Sequence, residues 1–316
     1  MKTKLAGLIA APFTPMHPDG SIKPEMIRKL AAHLRQNKVA GAFICGTTGE
    51  GPSLSTDERL KLAEQWVQAC SDQLRVIVHV GHQSVMESRA LGAHAERIEA
   101  HGFAMSAPSF FRVTRITQLV DLCARVAEAA ATLPFYYYHF PAMTGADLPM
   151  IDFLEVASRQ IPNLAGIKFT HENLMDYRRC LDFESGRFNI LFGRDEMLLA
   201  ALAMGATAVV GSTYNYLAPL YHRIIEAFQG EELEAAQRLQ SQANEVIAIM
   251  VKHGGLGAGK AMMKMIGLDC GPVRLPLENP SPEMIASLAR ELQASGFPLA
   301  EVTKEKKEKR TRIATP

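Results

Sequence analysis

Eight short apolar runs recur along the first two thirds of this chain, at residues 7–11, 41–45, 75–80, 102–107, 134–138, 164–169, 189–192 and 206–210. Each has the length of a buried strand, four to six residues, and is too short for a helix of ordinary size. Longer amphipathic stretches lie between them, at 23–37, 56–71, 84–101, 116–131 and 148–160. Two of these open on Ser55-Thr56-Asp57-Glu58 and Ser84-Val85-Met86-Glu87, where a serine precedes a carboxylate by three residues, the signature of a helix N-terminus. Strands that alternate with helices pair in parallel. Eight such units predict a (β/α)8 (TIM) barrel, an α/β fold.

Beyond the eighth run the pattern is purely helical, at 217–229, 232–252, 258–266 and 282–294. The first completes the barrel and the rest form a C-terminal helical extension. One barrel domain is therefore expected over residues 1–300, with its extension from about residue 231. Residues 301–316 then form a charged tail. Its core at 304–312 carries six basic and two acidic residues without aromatics, which fits a solvated segment rather than a nucleic-acid patch.

Composition narrows the function classes. Hydrophobic residues at 47% and charged residues at 21% are ordinary for a water-soluble globule. A net charge of +1 gives no field for nucleic acid or an anionic membrane, so the expected partner is a small molecule. Five scattered cysteines without a CxxC suit reduced thiols and a cytoplasmic location. Lys2 and Lys4 before the apolar residues 5–11 imitate a signal peptide, but Pro12 and Pro15 interrupt the stretch, which reads as the first strand. No run approaches the roughly 20 apolar residues that span a bilayer.

In a barrel of this type the strand C-termini gather the active site. The second run ends in Gly46-Thr47-Thr48-Gly49-Glu50-Gly51, the fifth in Tyr136-Tyr137-Tyr138-His139, and the sixth in Lys168-Phe169-Thr170. The seventh delivers Gly193-Arg194-Asp195-Glu196 and the eighth Gly211-Ser212-Thr213. A lysine in a buried strand is expensive, because a desolvated ammonium loses its proton rather than stay charged unpaired. That loss makes an amine nucleophilic near neutral pH, above all for imines with carbonyl substrates. Alone, Lys168 could simply extend to water; its neighbours point to an aldolase. The Gly46–Gly49 turn can cradle a carboxylate with backbone N–H groups and the Thr47 and Thr48 hydroxyls. Tyr138 can shuttle a proton. Asp195, Glu196, Ser212 and Thr170 supply the acceptors and donors of a polyhydroxylated substrate. Strand alternation puts Tyr136 and Tyr138 on one face and Tyr137 on the other. Asp195 and Glu196 also suit the positive end of a helix dipole.

Other chemistries fit less well. His79, His82, His139 and His171 raise a zinc-dependent aldolase, yet no HExxH or CxxC spacing accompanies them. Residues 254–260 (GGLGAGK) look like a phosphate loop but follow a helix, and so are read as a loop and helix start.

GTTGEGPSLS (46–55), YYYHFPAMTG (136–145), AGIKFT (165–170), FGRDEMLLAALAMGAT (192–207) and GSTYNYL (211–217) together resemble the N-acetylneuraminate lyase and dihydrodipicolinate synthase superfamily. The likeness runs over nearly the whole chain and is nearest to the sialic acid lyases of the animal-like branch. It implies Schiff-base chemistry without metal or cofactor, in a tetramer of barrels. By position, Lys168 becomes the imine lysine and Tyr138 the catalytic phenol. Thr47 and Thr48 hold the pyruvyl carboxylate, while Thr170, Gly193, Asp195, Glu196 and Ser212 line the sugar site. The synthase branch places an arginine after the strand-5 proline, where this chain has Pro141-Ala142-Met143-Thr144-Gly145. Many relatives carry tyrosines in the strand-4 loop. Here Ser109-Phe110-Phe111 stands instead, with the two phenylalanines expected as apolar wall residues. The expected reaction is cleavage of N-acetylneuraminate to N-acetylmannosamine and pyruvate. Its rivals are another pyruvate-dependent reaction (a 2-keto-3-deoxy sugar acid aldolase or a dihydrodipicolinate-type synthase) and a silent keto-acid-binding barrel.

Overall fold

The structure is a computed structural model that describes residues 4–70 and 73–295. The expected 304–312 tail lies outside the described residues. Eight parallel strands, β1 (Gly7–Ala10), β2 (Gly41–Ile44), β3 (Arg75–His79), β4 (Gly102–Ser106), β5 (Phe135–His139), β6 (Leu164–Phe169), β7 (Asn189–Phe192) and β8 (Ala208–Gly211), close into a barrel in sequence order. The seam joins β1 to β8 through Gly7↔Ala208 and Ala10↔Gly211. Helices α1 (Ile27–Gln36), α2 (Thr56–Ala69), α3 (Val85–Arg97), α4 (Ile116–Ala127), the short α5 (Pro141–Thr144), α6 (Met150–Gln160), α7 (Leu174–Asp182), α8 (Leu198–Ala203) and α9 (Tyr214–Gln229) follow the strands. The extension comprises α10 (Leu233–Lys252), α11 (Leu256–Met265) and α12 (Pro282–Ala294). Leu239, Val246, Met262 and Leu288 of these helices share one apolar core with the barrel. No described helix is long and apolar enough to cross a membrane.

Alternation along the strands divides the core in two. Ile9, Phe43, Ile77, Ala104, Tyr136, Tyr138, Leu191 and Val210 form one cluster, and Leu8, Ala42, Val76, Phe103, Tyr137, Ile167 and Phe192 belong to the other, which includes the helices. Tyr136 and Tyr138 thus share a face, as the period of two requires, and Tyr137 packs on Phe153 of α6 with ring centroids 4.9 Å apart. Helices α2, α3, α7 and α12 start at side-chain caps. The Ser55 hydroxyl accepts the Glu58 N–H and the Glu58 carboxylate accepts the Ser55 N–H, a capping box worth about 1 kcal/mol.

Helix α9 begins at Tyr214, three residues before the expected 217. Pro219 inside the helix has no N–H for the Asn215 carbonyl, so the sequence suggests a later start. His33 Nε2 contacts that carbonyl at 2.9 Å and fills the gap from α1. A tertiary contact here replaces a local one.

Candidate active site

Lys168 pairs in register with Tyr138 on β5, and neighbours in a parallel sheet point to the same side. Its Nζ lies 3.9 Å from the Tyr138 ring centroid and 4.1 Å from that of Phe43. Lys168 is only 4% exposed. Among the described residues no carboxylate lies within ion-pair distance of it. Burial pushes its amine down to about 7, and the charge of Asp195 opposes the shift without cancelling it. The two aromatic faces also favour the ammonium, by roughly 0.5–2 kcal/mol, so desolvation wins against two opposing effects.

The Tyr138 hydroxyl lies 3.3 Å from Thr47 Oγ1. Burial pushes the phenol up to about 12, against the opposite pull of the Thr47 and Thr170 hydroxyls, and keeps it protonated near neutrality. Its ring meets Phe43 edge-on at 5.3 Å and stacks on Phe140 at 5.7 Å.

Thr47 and Thr48 sit in a turn closed by hydrogen bonds from Glu50 N–H to the Thr47 carbonyl and from Gly51 N–H to the Gly46 carbonyl, both 3.0 Å. A Cβ on Gly51 would stand 1.9 Å from the Cys45 carbonyl oxygen, so only glycine lets the turn close. The Thr14 hydroxyl donates to the Gly49 carbonyl at 2.6 Å. The Thr47 and Thr48 N–H groups donate to no described residue and stay available.

Thr170 follows β6, and its buried Oγ1, close enough to the Tyr138 phenol to stabilise its ionised form, makes no hydrogen bond of ordinary geometry among the described residues. Gly193 makes room for it, since a Cβ there would come within 2.0 Å of that oxygen. Asp195 is buried and accepts from the Thr213 N–H (2.7 Å) and the Thr213 hydroxyl (2.6 Å). The Tyr221 hydroxyl lies 2.8 Å from the same Thr213 oxygen. One hydroxyl carries one hydrogen, so Tyr221 donates to Thr213 as Thr213 donates to Asp195. Burial pushes Asp195 up to about 6, opposed by Thr213 and Lys168. Gly211 is required beside it, because a Cβ would lie 2.2 Å from Asp195 Oδ1. Glu196, adjacent in sequence, is partly exposed and pairs with Arg194 at 2.9 Å, and Arg194 also binds Glu172. The two carboxylates therefore occupy different surroundings. Ser212 is half-buried, and its carbonyl accepts from the Asn215 side chain at 2.7 Å.

A cleft of about 360 Å³ opens beside Tyr138 and Thr47, lined further by His79, Gln83, Ser106 and Phe140. A depression on the outer face of α10, around Glu234, Gln237 and Arg238, holds only exposed side chains and offers no chemistry.

A weakly basic buried amine, a neutral phenol and a turn with unused N–H groups in one barrel mouth suit imine chemistry on a keto acid. The model of the dihydrodipicolinate synthetase family matches residues 4–295. The chain belongs to that family. Within it, N-acetylneuraminate lyase of Gallus gallus is 42% identical over 302 residues, covering 94% of this chain and 98% of the relative. That of Homo sapiens is 41% identical over 301 residues, covering 94% of each. The solved N-acetylneuraminate lyase of Proteus mirabilis superposes with a TM-score of 0.91 at 40% identity, covering 93% of this chain and all of that one.

In this family setting His79 and His139 are buried packing groups, while His82 is exposed at the cleft. The His79 ring contacts the Cys45 carbonyl at 3.1 Å and the Ser106 hydroxyl at 3.2 Å, and burial with the Arg59 charge pushes it down to about 3. Burial and His171 likewise take His139 to about 3. No three described His, Cys, Asp or Glu side chains converge as a metal site. Phe110 and Phe111 depart from the expected wall position. They are 79% and 81% exposed, packed edge-on against each other at 5.0 Å, and the cleft reaches Ala107, Pro108 and Ser109 of their loop but neither phenylalanine.

Sequence reasoning missed Phe43; it placed Gly211 and Thr213 at the end of the eighth strand without giving them a role, and raised His79 only as a metal ligand. Phe43 had a signal, since inward alternation on β2 selects it. Thr213 had none, because its hydrogen bonds span 18 residues to one partner and 8 to the other.

Proposed function

We propose that this protein is a class I aldolase that cleaves N-acetylneuraminate to N-acetyl-D-mannosamine and pyruvate, using Lys168 and Tyr138. The register pairing of a near-neutral buried amine with a phenol carries the reading, supported by about 40% identity to N-acetylneuraminate lyases over nearly the full chain. The Lys168 amine adds to the C2 ketone, and loss of water leaves the imine. The carboxylate rests on the Thr47 and Thr48 N–H groups and hydroxyls. Tyr138 takes the C4 hydroxyl proton while its own passes to the substrate carboxylate. The C3–C4 bond breaks, its electron pair enters the imine to give an enamine, and N-acetylmannosamine leaves as the aldehyde. Protonation at C3 and hydrolysis release pyruvate and the free amine. Thr170, Gly193, Asp195, Glu196 and Ser212 line the sugar portion. The lysine imine supplies the electron sink, so no cofactor or metal enters this scheme. The reading places the enzyme in the cytoplasm as a homotetramer of single-domain barrels, with only small molecules as substrates.

The amine's titration sets the pH dependence of imine formation. Lys168 is lowered to about 7, so its reactive free base grows as pH rises through that value. Borohydride trapping of pyruvate should accelerate about fivefold between pH 6 and pH 7 and level off above roughly pH 8. A rate still climbing at pH 9 would put the amine back at its ordinary value.

Substrate choice tests the remainder. Pyruvate release should favour N-acetylneuraminate over a shorter 2-keto-3-deoxy sugar acid. Glu196→Ala should remove about 1–3 kcal/mol of transition-state binding for N-acetylneuraminate, by leaving a hydroxyl of its tail unpaired. Trapping of pyruvate should be unaffected. An unchanged ratio of kcat/KM between the two substrates would sink the assignment of Glu196.

A further inference from the structure

The carboxylate turn is anchored from the C-terminal extension. Glu50 ends the Gly-Thr-Thr-Gly-Glu segment in the left-handed region (φ 55°), with its side chain buried. Its Oε1 lies 2.6 Å from Lys260 Nζ on α11, and its Oε2 accepts the Arg274 N–H at 2.8 Å. Oε1 accepts no hydrogen bond of ordinary geometry among the described residues, so the ion pair with Lys260 is its polar contact. Lys260 also donates to the Pro272 carbonyl at 2.6 Å. Arg274 reaches the Gly20 and Ser53 carbonyls and the Glu58 carboxylate.

Close packing of α11 accounts for two glycines of the run at 254–260. A Cβ on Gly259 would meet Phe13 at 2.5 Å, and one on Gly257 would meet the Glu278 carbonyl at 2.5 Å. The glycines bring α11 close enough for Lys260 to reach under the turn. No phosphate is needed to explain the lysine.

We propose that Lys260 is a positioning residue: its buried ion pair with Glu50 holds the turn of residues 46–51, and so Thr47 and Thr48, in the arrangement that receives the keto acid's carboxylate. The inference rests on the aldolase reading above. A buried carboxylate stripped of its cation is strongly disfavoured; Glu50 either takes up a proton or moves toward water, and both disturb the contacts that hold the turn. Thr47 and Thr48 stand three and two residues before Glu50 and move with it.

The test is borohydride trapping by the full chain across pyruvate concentrations, well below each variant's thermal midpoint. Lys260→Met should raise the half-saturating pyruvate concentration by about 10- to 100-fold. Its maximal trapping rate should stay within roughly threefold of the parent, because the amine is untouched. Glu50→Gln keeps the size and one hydrogen bond and should move half-saturation in the same direction by less. Lys264→Met, on the same helix and paired with Asp269 at the surface, should change nothing. Half-saturation within about twofold of the parent in the folded variants overturns the proposal, as does a fall in maximal rate as large as the loss of affinity. If Lys260→Met does not fold, Glu50→Gln decides. Absence of trapping in the parent chain instead refutes the aldolase reading, and this proposal falls with it.

Discussion

Lys168→Met is expected to abolish pyruvate trapping and to lower aldol cleavage by on the order of 10⁴–10⁶-fold, because the imine enters every later step. The same substitution should make the protein more stable. In the folded chain burial holds the Lys168 amine near 7, whereas in the unfolded chain it takes its ordinary value of 10.5. Between those values the unfolded state binds the extra proton, so stability rises with pH across the window and is lowest below it. The burden at pH 7 is on the order of 1–4 kcal/mol, from about 1.4 kcal/mol for each tenfold loss of proton affinity, less the offsetting aromatic contacts. Methionine fills the same space without a charge. Thermal unfolding at pH 7 and pH 9 should show a higher midpoint for the variant at pH 7 and a smaller gap at pH 9. A variant that is inactive and less stable at both would be a damaged barrel, and would say nothing for the imine.

The ionisations around Lys168 are spread by environment rather than by residue type. Burial pushes Asp195 up to about 6 and Tyr138 up to about 12, and takes His79 down to about 3. Near neutrality the site therefore holds a half-free amine, a largely ionised Asp195, a neutral phenol and a neutral imidazole. Among the described residues Asp195 is the anion that acts on the amine, and Thr213 backed by Tyr221 keeps it ionised despite its burial.

How much of this was readable in the chain follows from the range of each interaction. The barrel was legible because each strand and helix carries its own period and caps, as the Ser55–Glu58 box shows. That Lys168, Tyr138 and Thr47 come together was legible because a barrel collects its strand ends at one mouth, so that place in sequence gives place in space. The start of α9 was not, since it depends on His33 from a distant helix serving the carbonyl that Pro219 leaves free. The Thr213 support of Asp195 and the Lys260 support of Glu50 are likewise long-range polar pairs without local pattern. Phe110 and Phe111 went astray for another reason: their apolar character suggested a wall, but their loop turns outward.

Tyr138→Phe should separate the two halves of the chemistry. The ring contacts remain possible in the variant: Lys168 Nζ at 3.9 Å from the centroid, Phe43 edge-on at 5.3 Å, His79 at 5.6 Å and Phe140 stacked at 5.7 Å. The amine therefore keeps its burial, and pyruvate should still be trapped at nearly the parent rate. What disappears is the hydroxyl that faces Thr47 at 3.3 Å. That bond is long, so its loss should alter stability by no more than about 0.5–1.5 kcal/mol. Turnover should respond far more. With the phenol held near 12 the residue is no standing phenolate, and in the proposed reaction it accepts one proton as it gives up another. Phenylalanine can do neither, and a positioned proton relay contributes about 10²–10⁴-fold to kcat. Cleavage of N-acetylneuraminate should fall by that factor while the trapped imine accumulates on Lys168. Retained turnover would hand the proton to another group, with the Thr47 hydroxyl the first to examine. Loss of trapping together with turnover would instead make Tyr138 part of the pocket that lowers the amine, and the division of labour between the two residues would be wrong.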